Sequence, residues 1–263
     1  MSQWLVSHIP SLVLLIGLIA IVSGGAVLIQ RLVRRRYPQL AQGEHNDVTK
    51  FTYGFIGFVY AFFIGFVVSS MWGQITAADS AARTEGAAAV QMARDLTVFE
   101  TADRDRLRQS LLTYEEAAIA EWTHANDVRS AEAETALADV YAAYRQVRAT
   151  DDTQKTALSA SMSNLDKMSQ ARTARIMTAR SDVGPPWPLW AVIFLTSAMV
   201  VGTVIIYGVE KPRQHYPMVA IVGAIIGMNL YLILQLSHPY IGEIATSSDP
   251  LQEVVRVLTT TAG

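Results

Sequence analysis

Twenty-two consecutive residues, Phe51 to Trp72 (FTYGFIGFVYAFFIGFVVSSMW), contain no charged side chain. As a helix this run rises about 33 Å, enough to cross a bilayer core of roughly 30 Å. Two stripes run along it. Gly57, Ala61, Gly65 and Ser69 recur every fourth residue and stack as a small-residue seam, which lets another helix backbone come close. Phe51, Phe55, Phe58, Phe62 and Phe66 advance by threes and fours and form an aromatic ridge on a neighbouring face. Trp72 ends the run where an interfacial aromatic belt would lie. The other spans are expected to assemble against this helix.

The composition fits a chain divided between lipid and water. Only 17% of the 263 residues are charged, against about 25% in soluble domains, and the charges gather in one middle section. A net charge of −2 leaves no electrostatic footprint for nucleic acid. With no cysteine, disulfides, iron–sulfur clusters and thiol catalysis are excluded. The first apolar run lacks a basic lead-in and is too long for a signal-peptide core, so it reads as a retained span.

Four spans are expected: about Ile9 to Val33, Phe51 to Trp72, Leu189 to Val209, and Tyr216 to Leu236. No proline intervenes between Pro38 and Pro185, so the second span continues as a helix beyond Trp72. Its seam runs Ile75, Ala78, Ala82, Glu85, Ala89, Met92, Leu96 and Phe99. Three further amphipathic stripes follow: Leu107–Leu111–Tyr114–Ala118, Ala133–Leu137–Val140–Tyr144–Val147 and Leu158–Met162–Leu165–Met168. Breaks are expected near 100–103, 123–129 and 149–152. The fourth span carries its own Gly223-xxx-Gly227 motif. In the tail, Asp249-Pro250-Leu251-Gln252 reads as a capped helix start. The domain reading is residues 1–72 and 185–240 in the membrane, 73–184 as a water-exposed helical section, and 241–263 as a tail with a short amphipathic helix. No alternation or hairpin turn suggests a sheet, so the fold class is all-α.

Lys/Arg counting puts the Arg31–Lys50 loop and the turn holding Lys211 and Arg213 in the cytoplasm. Both termini and the helical section then lie outside the cell membrane. Lys167, Arg172, Arg175 and Arg180 weigh the other way.

No catalytic motif is present, and the histidines, His8, His45, His124, His215 and His238, are scattered. His45-Asn46-Asp47 needs no metal to explain it: it precedes a span, where a polar turn is required. No cofactor or metal is expected. Glu115-Glu116 and Asp151-Asp152 read as solvated surface. The second-span stripes either pack other helices or face a central axis, where rings of Phe55, Phe58, Phe62 and Phe66 would gate ions by dewetting. Glu85 either pairs with an arginine of a neighbouring helix or forms a carboxylate ring above a pore. Tyr231, Gln235 and His238 share a face of the fourth span and either satisfy one another or line a path.

Phe62-Phe63-Ile64-Gly65-Phe66-Val67-Val68, followed by Trp72 and Gln74, resembles the second-span signature of bestrophins. The four spans, His45-Asn46-Asp47-Val48, the long helical insert and Ser237-His238-Pro239-Tyr240-Ile241-Gly242 resemble the bacterial bestrophin-like domain family over nearly the whole chain. Met71 departs from the pattern, since bestrophins carry a basic residue before the tryptophan. The resemblance implies an oligomeric anion channel whose pore-lining aromatics come from the second span, with the helical section in the cytosol. The expected function is therefore a homo-oligomeric channel for inorganic ions in a lipid bilayer, its axis lined by the second span and its extension. The alternative is a sensor or scaffold whose helical section binds a ligand or partner protein. An enzyme is disfavoured, because no converging titratable groups are visible.

Overall fold

A computed structural model describes residues 2–42, 46–123, 130–180, 184–207, 209 and 211–260. His45 and His124 lie outside the described residues, and no strand occurs among those described. The helices are α1 (Ser2–His8), α2 (Ser11–Arg36), α3 (Asn46–Asp95), α4 (Thr101–Thr123), α5 (Ala131–Arg145), α6 (Asp152–Arg180), α7 (Trp187–Ile206), α8 (Pro212–Leu236) and α9 (Asp249–Thr260). Among the described residues four helices are long and apolar enough to cross a membrane: α2, α7, α8 and the segment Lys50–Val98. The first span differs in detail from expectation. Pro10 separates the short α1 from α2, because proline cannot supply the amide an uninterrupted helix would need.

The chain divides into two units. The first comprises Met1–Gly73, Val183–His238 and Gly242–Ile244. Within it α2 and α8 lie almost backbone to backbone. A Cβ on Gly223 would stand 2.7 Å from Ser23 Cα, and one on Gly227 would stand 2.9 Å from Ile19 Cα. Ser23 Oγ donates to the Ala220 carbonyl at 3.0 Å across the same contact. Small residues permit this approach, and van der Waals packing then holds it where no hydrophobic force distinguishes helix from lipid. At the far end of this contact Gln30 and His215 are buried. His215 Nε2 meets the Val204 carbonyl at 3.0 Å, and a carbonyl only accepts, so Nε2 carries the proton. Nδ1 is thereby left to accept from Gln30 Nε2 at 2.9 Å.

The second unit comprises Gln74–Asp182, Pro239–Ile241 and Ala245–Gly263. Ile75, Ala78, Ala82, Glu85, Ala89, Met92, Leu96 and Phe99 are all buried, so the expected seam is the face that packs. The helix persists to Asp95, and a short 3₁₀ turn at Leu96–Val98 then redirects the chain. Leu107, Leu111, Tyr114 and Ala118 of α4 and Leu165 and Met168 of α6 are fully buried in the same core. The N-terminus of α5 is capped by Ser130 Oγ, which accepts from the Ala133 amide at 3.3 Å.

The C-terminal segment is not a free tail. Leu251, Val254 and Leu258 of α9 are buried in this unit's core, and Arg108 Nε donates to the Leu258 carbonyl at 2.7 Å. The helix starts one residue earlier than expected. Asp249 lies inside it, and Ser248 flanks it, with Gln252 Nε2 donating to Ser248 Oγ at 3.1 Å.

Candidate functional site

Two features of the fold bear on function, one in each unit. The first is the uncovered surface of α3 in the membrane unit. Tyr60, Ile64, Val67 and Met71 form its buried face. Tyr60 meets Ser197 of α7, whose hydroxyl donates at 3.4 Å. Met71 lies on this covered face, where a basic side chain would have to be buried. The aromatic ridge points elsewhere: Phe55 is 64% exposed, Phe58 72%, Phe62 73% and Phe66 68%. The small-residue seam is uncovered too. Ala61 and Ser69 are exposed, and nothing lies within 4 Å of where a Cβ would stand on Gly57 or Gly65. Gly223 and Gly227, by contrast, are filled by α2.

The polar positions at the end of α8 are unequally buried. Gln235 is buried, with Nε2 donating to Ser11 Oγ at 3.3 Å, while Tyr231 and His238 are half-buried. Beyond the helix, Gly242 has φ +103°, and a Cβ there would stand 2.5 Å from Gln235 Oε1. Both the backbone angle and the contact demand glycine. Gly242→Ala is expected to cost about 1–3 kcal/mol, read as a lower unfolding temperature of the detergent-purified chain.

The second feature is a cluster of ionised side chains inside the helical unit. Arg175 of α6 donates through Nε to Glu85 Oε2 at 3.0 Å and through Nη2 to Glu85 Oε1 at 3.2 Å. The same Nη2 reaches Glu121 Oε2 of α4 at 3.3 Å. Arg172, one turn earlier, donates to both Glu121 oxygens at 2.8 and 3.2 Å and to Glu134 of α5 at 3.0 Å. The Arg175 guanidinium lies 4.6 Å from the Trp122 ring centroid, which adds a cation–π contact. Trp122 in turn meets Tyr240 edge to face, with centroids 5.6 Å apart. Tyr114 completes the cluster, its hydroxyl donating to Glu85 Oε1 at 3.2 Å. Burial first, then Glu85 and Glu115, push the Tyr114 phenol well above its ordinary value.

This cluster selects between the two readings of Glu85 and corrects the reading of Glu115. Glu85 is 0% exposed within a single chain and is held on both oxygens, so it presents no carboxylate to a pore axis. Pairing with an arginine of a neighbouring helix accounts for it. Glu115 is not solvated surface: it is 0% exposed, whereas Glu116, Asp151 and Asp152 are exposed. Titratable groups do converge, contrary to the sequence reading. The signal was present in the spacing. Glu121 continues the α4 stripe Leu111–Tyr114–Ala118, and Arg172 and Arg175 continue the α6 stripe Leu165–Met168. Opposite charges at apolar-stripe positions on packed helices are a sign of a buried pair. Among the described residues no group of three or more His, Cys, Asp or Glu side chains is arranged to hold a metal ion.

The model for the bestrophin-like domain matches residues 20–251. The chain belongs to the bestrophin-like family. No curated protein matches its sequence. Among solved structures, a membrane-protein variant superposes with a TM-score of 0.70 at 15% identity, covering 95% of this chain and 98% of that one. Single-substitution variants of a bacterial bestrophin homologue from Klebsiella pneumoniae are also similar. One gives a TM-score of 0.67 at 16% identity, over 93% of this chain and 99% of that one. Another gives 0.70 at 15%, over 92% and 98%. At these identities the likeness is one of fold, and it extends over both units of this bestrophin-like chain.

Proposed function

We propose that this bestrophin-like protein is a homo-oligomeric ion channel whose pore is lined by the second span, with Phe55, Phe58, Phe62 and Phe66 at its constriction. The observation that carries the reading is the ridge itself. One side of α3 is committed to the chain's own core, and the side bearing four phenylalanines is open along its length. Symmetry-related copies would bring these rings to a common axis, and a ring of aromatic side chains is a constriction that gates by dewetting. The adjoining groove at Gly57, Ala61, Gly65 and Ser69 supports close packing between copies.

With Glu85 enclosed, the span Phe51–Trp72 offers no charge to select a permeant ion. Phenylalanine edges carry the positive end of the ring quadrupole, which favours an anion in a narrow pore. Lys/Arg counting supports both termini and the helical unit lying outside. Arg172 and Arg175, which weighed against it, are neutralised by Glu85 and Glu121 within the fold. A C-terminal reporter that fluoresces only from the cytoplasm would overturn that orientation.

Purified protein in planar bilayers is expected to conduct, and Phe62→Ala is expected to raise conductance by widening and wetting the constriction. Bilayers that stay silent across several salts and voltages, or a particle that is a single subunit, would defeat the proposal.

A further inference from the structure

Glu115 has no part in the pore reading or in the ion-pair cluster beside it. It is fully buried, and neither carboxylate oxygen has a hydrogen-bond partner. The charged groups acting on it are Glu85 from α3 and Arg175 from α6, and Tyr114 precedes it on its own helix. Of the other helices packed on α4, α5 turns Glu134 toward Arg172, while its Glu132, Asp139 and Arg145 are exposed, as are Asp249, Glu253 and Arg256 of α9. Tyr144, the buried titratable group of α5, has its phenol pushed up to about 12 by burial. Tyr240 is likewise pushed up to about 12, chiefly by burial.

Both buried arginines are taken up without Glu115. Arg175 is engaged by Glu85 and Glu121, and Arg172 by Glu121 and Glu134. A further buried carboxylate would stand beside Glu85 with no free cation among the described residues, and its desolvation would be offset only by a guanidinium already shared between two glutamates. A neutral carboxyl fits the same space at far lower cost.

We infer that Glu115 is a proton-binding site of the helical unit: the folded chain holds the proton, and its release sets Glu115 against Glu85 in competition for Arg175. Alkaline solution then loosens the junction of α3, α4 and α6. The direction of its acidity agrees. Burial, and next the Glu85 carboxylate, hold the Glu115 carboxyl well above the usual carboxylate range, with Arg175 opposing. The sign of the stability effect follows. The unfolded chain ionises Glu115 near pH 4.3, whereas the folded chain keeps it protonated well above that. Between those two points the folded state binds the extra proton, so its stability is full below the lower value and declines as pH rises.

The test is thermal unfolding of the detergent-purified full chain between pH 5 and pH 8, for the wild type and Glu115→Gln, which mimics the neutral acid. The difference between the two is expected to be smallest at pH 5. At pH 8 the variant is expected to melt higher by about 5 °C or more. Glu115→Leu serves the same comparison should the glutamine variant fail to fold. The wild type should also show the infrared carbonyl stretch of a protonated carboxylic acid at neutral pH, lost in alkali. Parallel melting curves, or no such band, would overturn the inference. Neither measurement depends on conduction, so a silent bilayer leaves it standing.

Discussion

Arg175→Met is expected to be among the most damaging single substitutions in the helical unit, lowering its stability by about 3–5 kcal/mol. The side chain is buried and is the cation that holds Glu85 on both oxygens. Removing it strands a fully buried carboxylate on α3 and weakens the hold on Glu121. Methionine fills comparable space, so the loss reports charge rather than volume. The check is denaturant or thermal unfolding followed by the Trp122 environment, since that ring stacks on the guanidinium. The double variant Glu85→Gln with Arg175→Met should recover most of the loss, because an ion pair replaced on both sides leaves no uncompensated charge. A double variant as unstable as the single one would show that the pair is not what Arg175 supports.

Gly227→Leu is expected to have a comparable effect in the membrane unit, about 3 kcal/mol or more. A Cβ at this position already meets Ile19 Cα at 2.9 Å and the Leu18 carbonyl at 3.1 Å. Backbone cannot swing aside as a side-chain tip can, so α2 and α8 must separate along their length. Loss of a monodisperse peak in detergent, with a lowered melting temperature, is the readout. Gly57→Leu provides the contrast. Nothing lies near its Cβ position in a single chain, so the chain's own fold should survive, and any change should appear only in the proposed association of copies. A Gly57→Leu chain that fails to fold would contradict the open seam on α3.

Most of the fold was legible because its periods are strong. The heptad seam from Ile75 to Met92 named the buried face of α3 residue by residue, and the Gly223-xxx-Gly227 spacing named a close helix contact. Two kinds of feature were not legible. Boundaries set by one residue slipped: Pro10 splits the first apolar run, and Ser248 rather than Asp249 flanks α9. The interior charges were harder. Glu85 stood on an apolar seam, but its partner lies ninety positions away on α6. Spacing within one helix cannot show which stripe faces which. Glu115 was harder still. A pair of adjacent glutamates ordinarily means solvent, and only the packing of α4 shows that one of them turns inward while Glu116 stays out.

The open groove on α3 has a further consequence for how copies of the chain would meet. Lipid tails wet Gly57, Ala61, Gly65 and Ser69 about as well as a neighbouring helix does, so no oily surface drives association. What remains is fit, and fit is weak at a distance. Subunits joined in this way obey mass action in two dimensions: abundance in the membrane governs how many are complete, and sparse expression leaves most of them single.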